Sequence, residues 1–265
     1  MAPAAAHLWH IAPSYCGWIE QMATPLIRRE LPTEYAPLMF SFGAPIRLLR
    51  SERGDDYTDV HSFITGAYDH TQLVGSAGVS GGVQINLTLL GIRRLVGRPL
   101  ADLRNQAVTL EDVFGPGVRS YIARIEDAAD WPTRFAVVDA FLTSRLAVDS
   151  TVPMGVRAAW RLLAAVDRRR SVREVAAAVG WSHKHLIARF QEEIGLTPKQ
   201  LARILRFGRV VNALKSGRGP SLAEIALAAG YYDQSHLNRD SREFAGATPG
   251  ELVRKLLPDG GGISL

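Results

Sequence analysis

Ser221-Leu-Ala-Glu-Ile-Ala-Leu-Ala-Ala-Gly230 repeats Ser171-Val-Arg-Glu-Val-Ala-Ala-Ala-Val-Gly180 at an offset of 50 residues. In both copies the Ser and the Glu three places on form a capping box: the hydroxyl accepts an orphan backbone N–H and the carboxylate reaches back to the cap. Gly195-Leu-Thr-Pro198 recurs as Gly246-Ala-Thr-Pro249 at an offset of 51, so one residue is inserted between the two matches. Thr197 with Gln200, and Thr248 with Glu251, repeat the capping device with proline at the first helical position. Two copies are too few for a stacked solenoid, which needs about three. The pattern is a duplicated helical module.

Within each copy the spacing has a mechanical meaning. Ala176 lets two helices cross closely, Gly180 permits a left-handed turn, and Leu186 seats the second helix on the first; Ala226, Gly230 and Leu237 repeat the set. This is the spacing of a helix-turn-helix, although a purely structural helical hairpin satisfies it too. At 100° per residue, Leu186, Phe190 and Ile194 form the buried stripe of the first unit's second helix. Lys184, His185, Ala188 and Gln191 then lie outside, with His183 at the exposed start. In the second unit Leu237, Ser241 and Phe244 face inward, leaving Ser235, His236, Arg239 and Arg242 outward and Gln234 near the start. A connecting helix over 199–215 has Leu201, Ile204, Leu205 and Leu214 as its apolar stripe, with Arg203, Arg206 and Arg209 elsewhere. It spans about 25 Å, enough to hold two such helices near one duplex turn apart, about 34 Å.

Charge follows the same division. The 265 residues carry a formal net charge of +5, with 47% hydrophobic and 22% charged residues, which excludes a fibrous or wholly disordered chain. Residues 1–150 hold 13 basic and 16 acidic side chains, whereas 151–265 hold 18 and 10, giving −3 and +8. A solvated basic surface explains the charge by itself; the repeat and its outward donors favour a polyanion. Cys16 is the single cysteine, so an intrachain disulfide and a Cys-based zinc site are both excluded. No stretch approaches the roughly 18 apolar residues of a membrane span, and the start lacks a secretory pattern, so a cytoplasmic protein that enters no membrane is expected.

The first half reads differently. Leu38–Gly43, Pro45–Leu49 and Val60–Gly66 are short β-prone runs, and Val83–Leu89 alternates apolar and polar residues as a half-buried strand does. Gly75, Gly78, Gly81 and Gly82 read as turn punctuation before it. Short helical turns are expected at Leu100–Leu103 and Leu110–Phe114, and longer helices over 118–129 and 133–148. Trp131-Pro132 separates the two longer helices. Asp149-Ser-Thr-Val-Pro153 marks a domain boundary.

Residues 157–256 resemble the DNA-binding domain of the AraC/XylS family of bacterial transcription regulators. The residues that carry this are Ser171–Gly180, Gly195–Pro198, and above all Ile225-Ala-Leu-Ala-Ala-Gly-Tyr-Tyr-Asp-Gln-Ser-His-Leu-Asn-Arg-Asp240 followed by Gly246–Pro249. The resemblance implies seven helices, with two recognition helices entering adjacent major grooves of promoter DNA and RNA polymerase as a further partner. It carries base-reading roles onto His183, Lys184, Ile187 and Ala188, and onto Gln234, Ser235, His236 and Arg239. Ile187 and Ala188 can offer only apolar contact to thymine methyls, so polar readout by the first helix rests on His183, Lys184 and His185. Arg206 is a candidate phosphate contact. His183, His185 and His236 read alternatively as metal ligands, but they lack a companion carboxylate or Cys at a ligand spacing. Ser241 departs from the family's aromatic at that position. Loss of a buried Phe side chain costs about 3–5 kcal/mol, so a loosened second unit is expected unless Phe244 or Tyr232 fills the space.

Residues 1–150 resemble the companion domain of some such regulators, on Leu87–Leu103 and Asp130–Phe135. That implies a cupin-like antiparallel β domain with trailing helices, and a role in binding a small-molecule effector or forming a homodimer. The expected class is therefore α+β: this domain, then an all-α domain of two helix-turn-helix units joined by a long helix. No cofactor, metal or catalytic residue is expected. The alternative is a cupin-like metal-dependent enzyme with a helical association domain, but His61 and His70 stand alone and form no ligand cluster. Trp9, Tyr15, Trp18 and Tyr35 read as core before they read as a pocket. Cys16 lacks the Pro-Cys-His-Arg surroundings of a repair methyltransferase and reads as a buried thiol.

Overall fold

The computed structural model describes residues 2–12, 14–146, 151–165, 170–215, 221–257 and 262–264. Asp149 and Ser150 of the expected boundary lie outside them. The first half builds an antiparallel sheet that curls toward a barrel. Its strands are β1 (Ala2–Pro3), β2 (Ser14–Glu30), β3 (Tyr35–Gly43), β4 (Ile46–Leu49), β5 (Tyr57–Val60), β6 (Phe63–Thr65), β7 (Gln72–Thr88) and β8 (Ala107–Thr109). A short β9 (Ile263–Ser264) joins it from beyond the helical half, pairing with Arg28 and Arg29 of β2.

The spine is β7, which pairs with β2, β3 and β4. Val83, Ile85 and Leu87 are fully buried on one of its faces, as the alternation requires. Gly75, Gly78, Gly81 and Gly82, expected as turns, are instead inside this strand. Close approach demands two of them: a Cβ at Gly82 would lie 2.2 Å from the Phe40 carbonyl oxygen, and one at Gly81 would lie 2.6 Å from the Phe42 ring. The sequence pattern does not disclose β2, because a register shift between Met22 and Leu26 breaks the period of two.

Thr88 ends β7 and caps α1 (Leu89–Val96), accepting from the Gly91 amide, so the alternating run stops one residue before Leu89. A 3₁₀ turn over Ala101–Leu103 and α2 (Leu110–Phe114) follow as expected, then α3 (Val118–Asp127) and α4 (Trp131–Leu146). Trp131-Pro132 opens α4 rather than lying between helices. Proline needs no N–H partner in the first turn, and the Thr133 amide donates to Asp130 at 2.8 Å. Phe141 of α4 meets Phe40, Phe114 and Tyr121 edge-on at 5.2–5.3 Å, which seats the helices on the sheet. Tyr15 is buried there and donates to Asp139 at 2.7 Å. Trp9 and Tyr35 are exposed, Trp18 and Cys16 are half-buried, and so only Tyr15 of those five is core.

The second half is seven α-helices among the described residues: α5 (Met154–Ala164), α6 (Val172–Ala178), α7 (His183–Ile194), α8 (Pro198–Lys215), α9 (Leu222–Ala229), α10 (Gln234–Ala245) and α11 (Pro249–Lys255). The first begins at Met154, three residues before the expected 157. All four capping devices form, at Ser171/Glu174, Thr197/Gln200, Ser221/Glu224 and Thr248/Glu251. Gly180 and Gly230 take left-handed backbone, φ +73° and +99°, in the two turns. The apolar stripe expected on α8 is buried, with Phe207, Val210 and Val211 added. The main core runs without a break through both halves.

Candidate nucleic-acid interface

Two helices of 12 residues, α7 and α10, each start from a side-chain cap: Ser182 accepts from the His185 amide at 3.2 Å, and Asp233 from the His236 amide at 2.7 Å. His185 and His236, equivalent by the 51-residue offset, turn their rings edge-on to Trp181 and Tyr231 at 4.8 and 5.1 Å. This pins the first turn of both helices. On α7, His183, Lys184, His185, Ala188 and Gln191 are exposed and Ile187 is half-buried. On α10, Gln234, Ser235, Arg239 and Arg242 are exposed and His236 is half-buried. Leu186, Phe190, Ile194, Leu237 and Phe244 point inward. Each helix thus shows donors on one face, two positively charged groups among them on α10.

A buried polar network that the sequence reading missed anchors α10. Asp240 is 2% exposed and accepts from Arg203 Nε and Nη2 of α8 at 3.2 and 2.8 Å, and from the Tyr231 hydroxyl at 3.1 Å. Arg203 also donates to Glu243 at 2.8 Å, which holds that carboxyl below the usual range. Burial, reinforced by the Asp240 charge, pushes the Tyr231 phenol up. The available signal was Asp240 itself, an acid beside the inward positions 237, 241 and 244.

Ser241 leaves no loosened unit. It is fully buried and donates to the Ala247 carbonyl at 2.7 Å. Phe244 fills the core instead, its ring 5.4 Å from Phe207 with the Arg203 guanidinium over it at 4.8 Å, while Tyr232 is 81% exposed. In the first unit Phe190 stacks on Trp160 at 6.3 Å. The aromatic has therefore moved one helical turn, from the position of Phe190 to that of Phe244, whose counterpart in the first unit is Glu193.

Two arginines have further surroundings that the sequence does not announce. Arg206 is half-buried over the Tyr231 ring at 5.5 Å, with its Nε enclosed and unpartnered, so its visible work is internal packing. Arg242 lines a cavity of about 610 Å³ between the sheet and α10, together with Arg29, Arg50, Glu52, His70 and Leu48. Beside it Asp69 accepts from Arg104, Asn105 and Gln200. Burial opposes ionisation there, but the hydrogen bonds from Arg104, His70 and Asn105 outweigh it and bring the carboxyl down to about 2. His61 and His70 are exposed, and His70 pairs with Asp69 at 3.1 Å. Among the described residues no three His, Cys, Asp or Glu side chains gather as a metal-holding group, and no helix is long and apolar enough to cross a membrane.

Residues 175–255 match the family model described as a helix-turn-helix domain. They form a helix-turn-helix domain. The whole fold is similar to that of ToxT from Vibrio cholerae, at 11% identity and a TM-score of 0.52 over 91% of this chain and 97% of that one. ToxT from Vibrio cholerae O395 bound to (E)-4-(8-methylnaphthalen-1-yl)but-3-enoic acid is similar at 12% identity and a TM-score of 0.50, over 91% and 98% of the two chains. An AraC-type regulator from Chromobacterium violaceum shares 26% identity over 38% of this chain and 89% of its own, at a TM-score of 0.35. No curated protein matches the chain. The helix-turn-helix match thus lies at the end of a chain whose overall fold is similar to that of ToxT.

Proposed function

We propose that the chain is a sequence-specific transcription regulator that inserts α7 and α10 into successive major grooves of promoter DNA and acts in the cytoplasm. The observation that carries this is the pair of capped helices, equivalent by repeat, each with its polar face exposed and its apolar stripe buried. His183, Lys184, His185 and Gln191 read bases from the first helix, with Ile187 and Ala188 against thymine methyls. Gln234, Ser235, His236 and Arg239 read from the second. Arg242 stands exposed on the same helix and also lines the cavity. Arg206 contacts phosphate only through what its packing on Tyr231 leaves at the surface.

Residues 1–150 act as the sensing or dimerising part and 157–256 as the reader. ToxT is solved with an alkenoic acid bound. In this chain Arg242 lines the cavity beside Leu48, Leu49 and Val60, with Arg29 and Arg50 at its wall paired to Glu52 and Asp56, which suits an organic anion that competes for those guanidiniums as effector. RNA polymerase and a second copy of the chain are the remaining partners in this reading.

The test is a salt titration on duplex DNA selected from a random pool. If 6–10 phosphates are contacted, affinity falls by about 10³–10⁵ between 50 and 200 mM salt; a flat response would remove the DNA reading. In the same assay Arg239→Ala is expected to cost about 1–3 kcal/mol on the selected site and to relax preference at one position. Equal losses on selected and scrambled duplexes would take the base-reading role from Arg239.

A further inference from the structure

The face that α7 offers to solvent and the side by which it is held are opposite one another. Glu193 lies on the buried stripe of α7 with Phe190 and Ile194, and is 3% exposed although charged. Arg93 of α1, itself 7% exposed, donates Nε to Glu193 Oε2 at 2.6 Å. Arg189, one turn back on α7, donates to the other oxygen, Oε1, at 2.9 Å. Close by, the Leu100 carbonyl oxygen would lie 3.2 Å from a Cβ at Gly195, and Gln200 donates to Asp69 at 2.7 Å. The far end of α7 is therefore clamped to the N-terminal half, while the polar face of its first turns is exposed to solvent.

The clamp has a direct line to the sheet. Thr88 ends β7 and caps α1 in a single residue, so the spine strand, α1 and Arg93 form one continuous piece. The second unit has Phe244 where the first has Glu193, so the charge belongs to the first unit alone of the two. A buried ion pair is a poor device for stability, since well-packed apolar residues of similar volume commonly do as well. What it supplies is direction: a carboxylate engaged on both oxygens by two guanidiniums resists rotation and sliding of its helix.

We propose that Arg93 and Glu193 are positioning residues through which the N-terminal half sets the angle of the first recognition helix on DNA, and so determine sequence preference without touching DNA. This rests on the reading of α7 as a recognition helix. The test uses the full chain and duplexes of about 30 base pairs selected from a random pool, long enough for two half-sites a turn apart. The doubly substituted Arg93→Met, Glu193→Met chain is expected to melt within a few degrees of the parent, because volume is kept and no charge is left buried. It should bind the parent's selected site about tenfold more weakly, with loss of protection confined to the base pairs under α7, and its own selection should give a relaxed consensus in that half. Glu193→Gln keeps the shape and one acceptor, and should fall between the two, which also serves if the double variant does not fold. Unchanged affinity and consensus in both variants would make the pair merely structural, as would a loss spread evenly over both half-sites. If the parent chain selects no sequence at all, the DNA reading fails first; if it does and the variants match it, only this inference fails.

Discussion

Asp240→Ala is expected to lower the unfolding free energy by about 3–5 kcal/mol, the range for breaking a buried ion pair by removing one partner. The carboxylate is almost fully enclosed, and three donor atoms converge on it from Arg203 and Tyr231. Alanine removes the carboxylate that accepts from the buried Tyr231 hydroxyl. Arg203 keeps Glu243, which places the loss toward the lower end of the range. Asp240→Asn retains shape and one oxygen and should lose less. Urea unfolding followed by circular dichroism measures both variants; a midpoint for Asp240→Ala equal to the parent's would show that the network contributes nothing net.

Phe244→Ala is expected to cost about 3–5 kcal/mol, as loss of a buried Phe does elsewhere. The more informative experiment combines it with the neighbouring turn. Alone, Ser241→Phe should destabilise by about 1–3 kcal/mol, because the site is already closed by Phe244 and Phe207 and the Ala247 carbonyl loses its donor. Made together, the two substitutions move the ring back to the place Phe190 occupies in the first unit, and should recover part of the loss caused by Phe244→Ala. Simple additivity of the two single effects in thermal melts would contradict a moved aromatic.

Much of the helical half was legible because its signals are local. Capping boxes, turn glycines and apolar periods involve residues within a few positions, so Ser171/Glu174, Gly230 and the Leu186-Phe190-Ile194 stripe could be read directly. What escaped depends on partners distant in sequence. Glu193 looks like a surface acid until α1 brings Arg93 to it, and Asp240 needs Arg203 and Tyr231. Ser241 looked like a defect because equivalence was judged position by position, whereas packing is conserved by volume and the ring had shifted by one turn. In the first half β2 and the glycines of β7 were hidden for a related reason. A bulge breaks the alternation of β2, and the glycines answer to the Phe40 backbone and Phe42 ring of the neighbouring strand. Of the interface, the exposed donors on α7 and α10, Arg242 among them, were legible, but the packing of Arg206 on Tyr231 was not, since it is decided by an element that its own helix cannot announce.

The pairing of β9 with β2 makes the two halves less separable than their compositions suggest. Ile263 is fully buried, and it and Ser264 supply backbone partners to Arg29 and Arg28. A polypeptide ended between α4 and α5 would lose that strand, leaving the Arg28-Arg29 stretch with unsatisfied main-chain donors and acceptors along an open margin of the sheet. Such a margin is a template for another chain to add itself. Self-association of a truncated N-terminal fragment would then report a missing ninth strand, and dimerisation of this protein has to be measured on the intact chain.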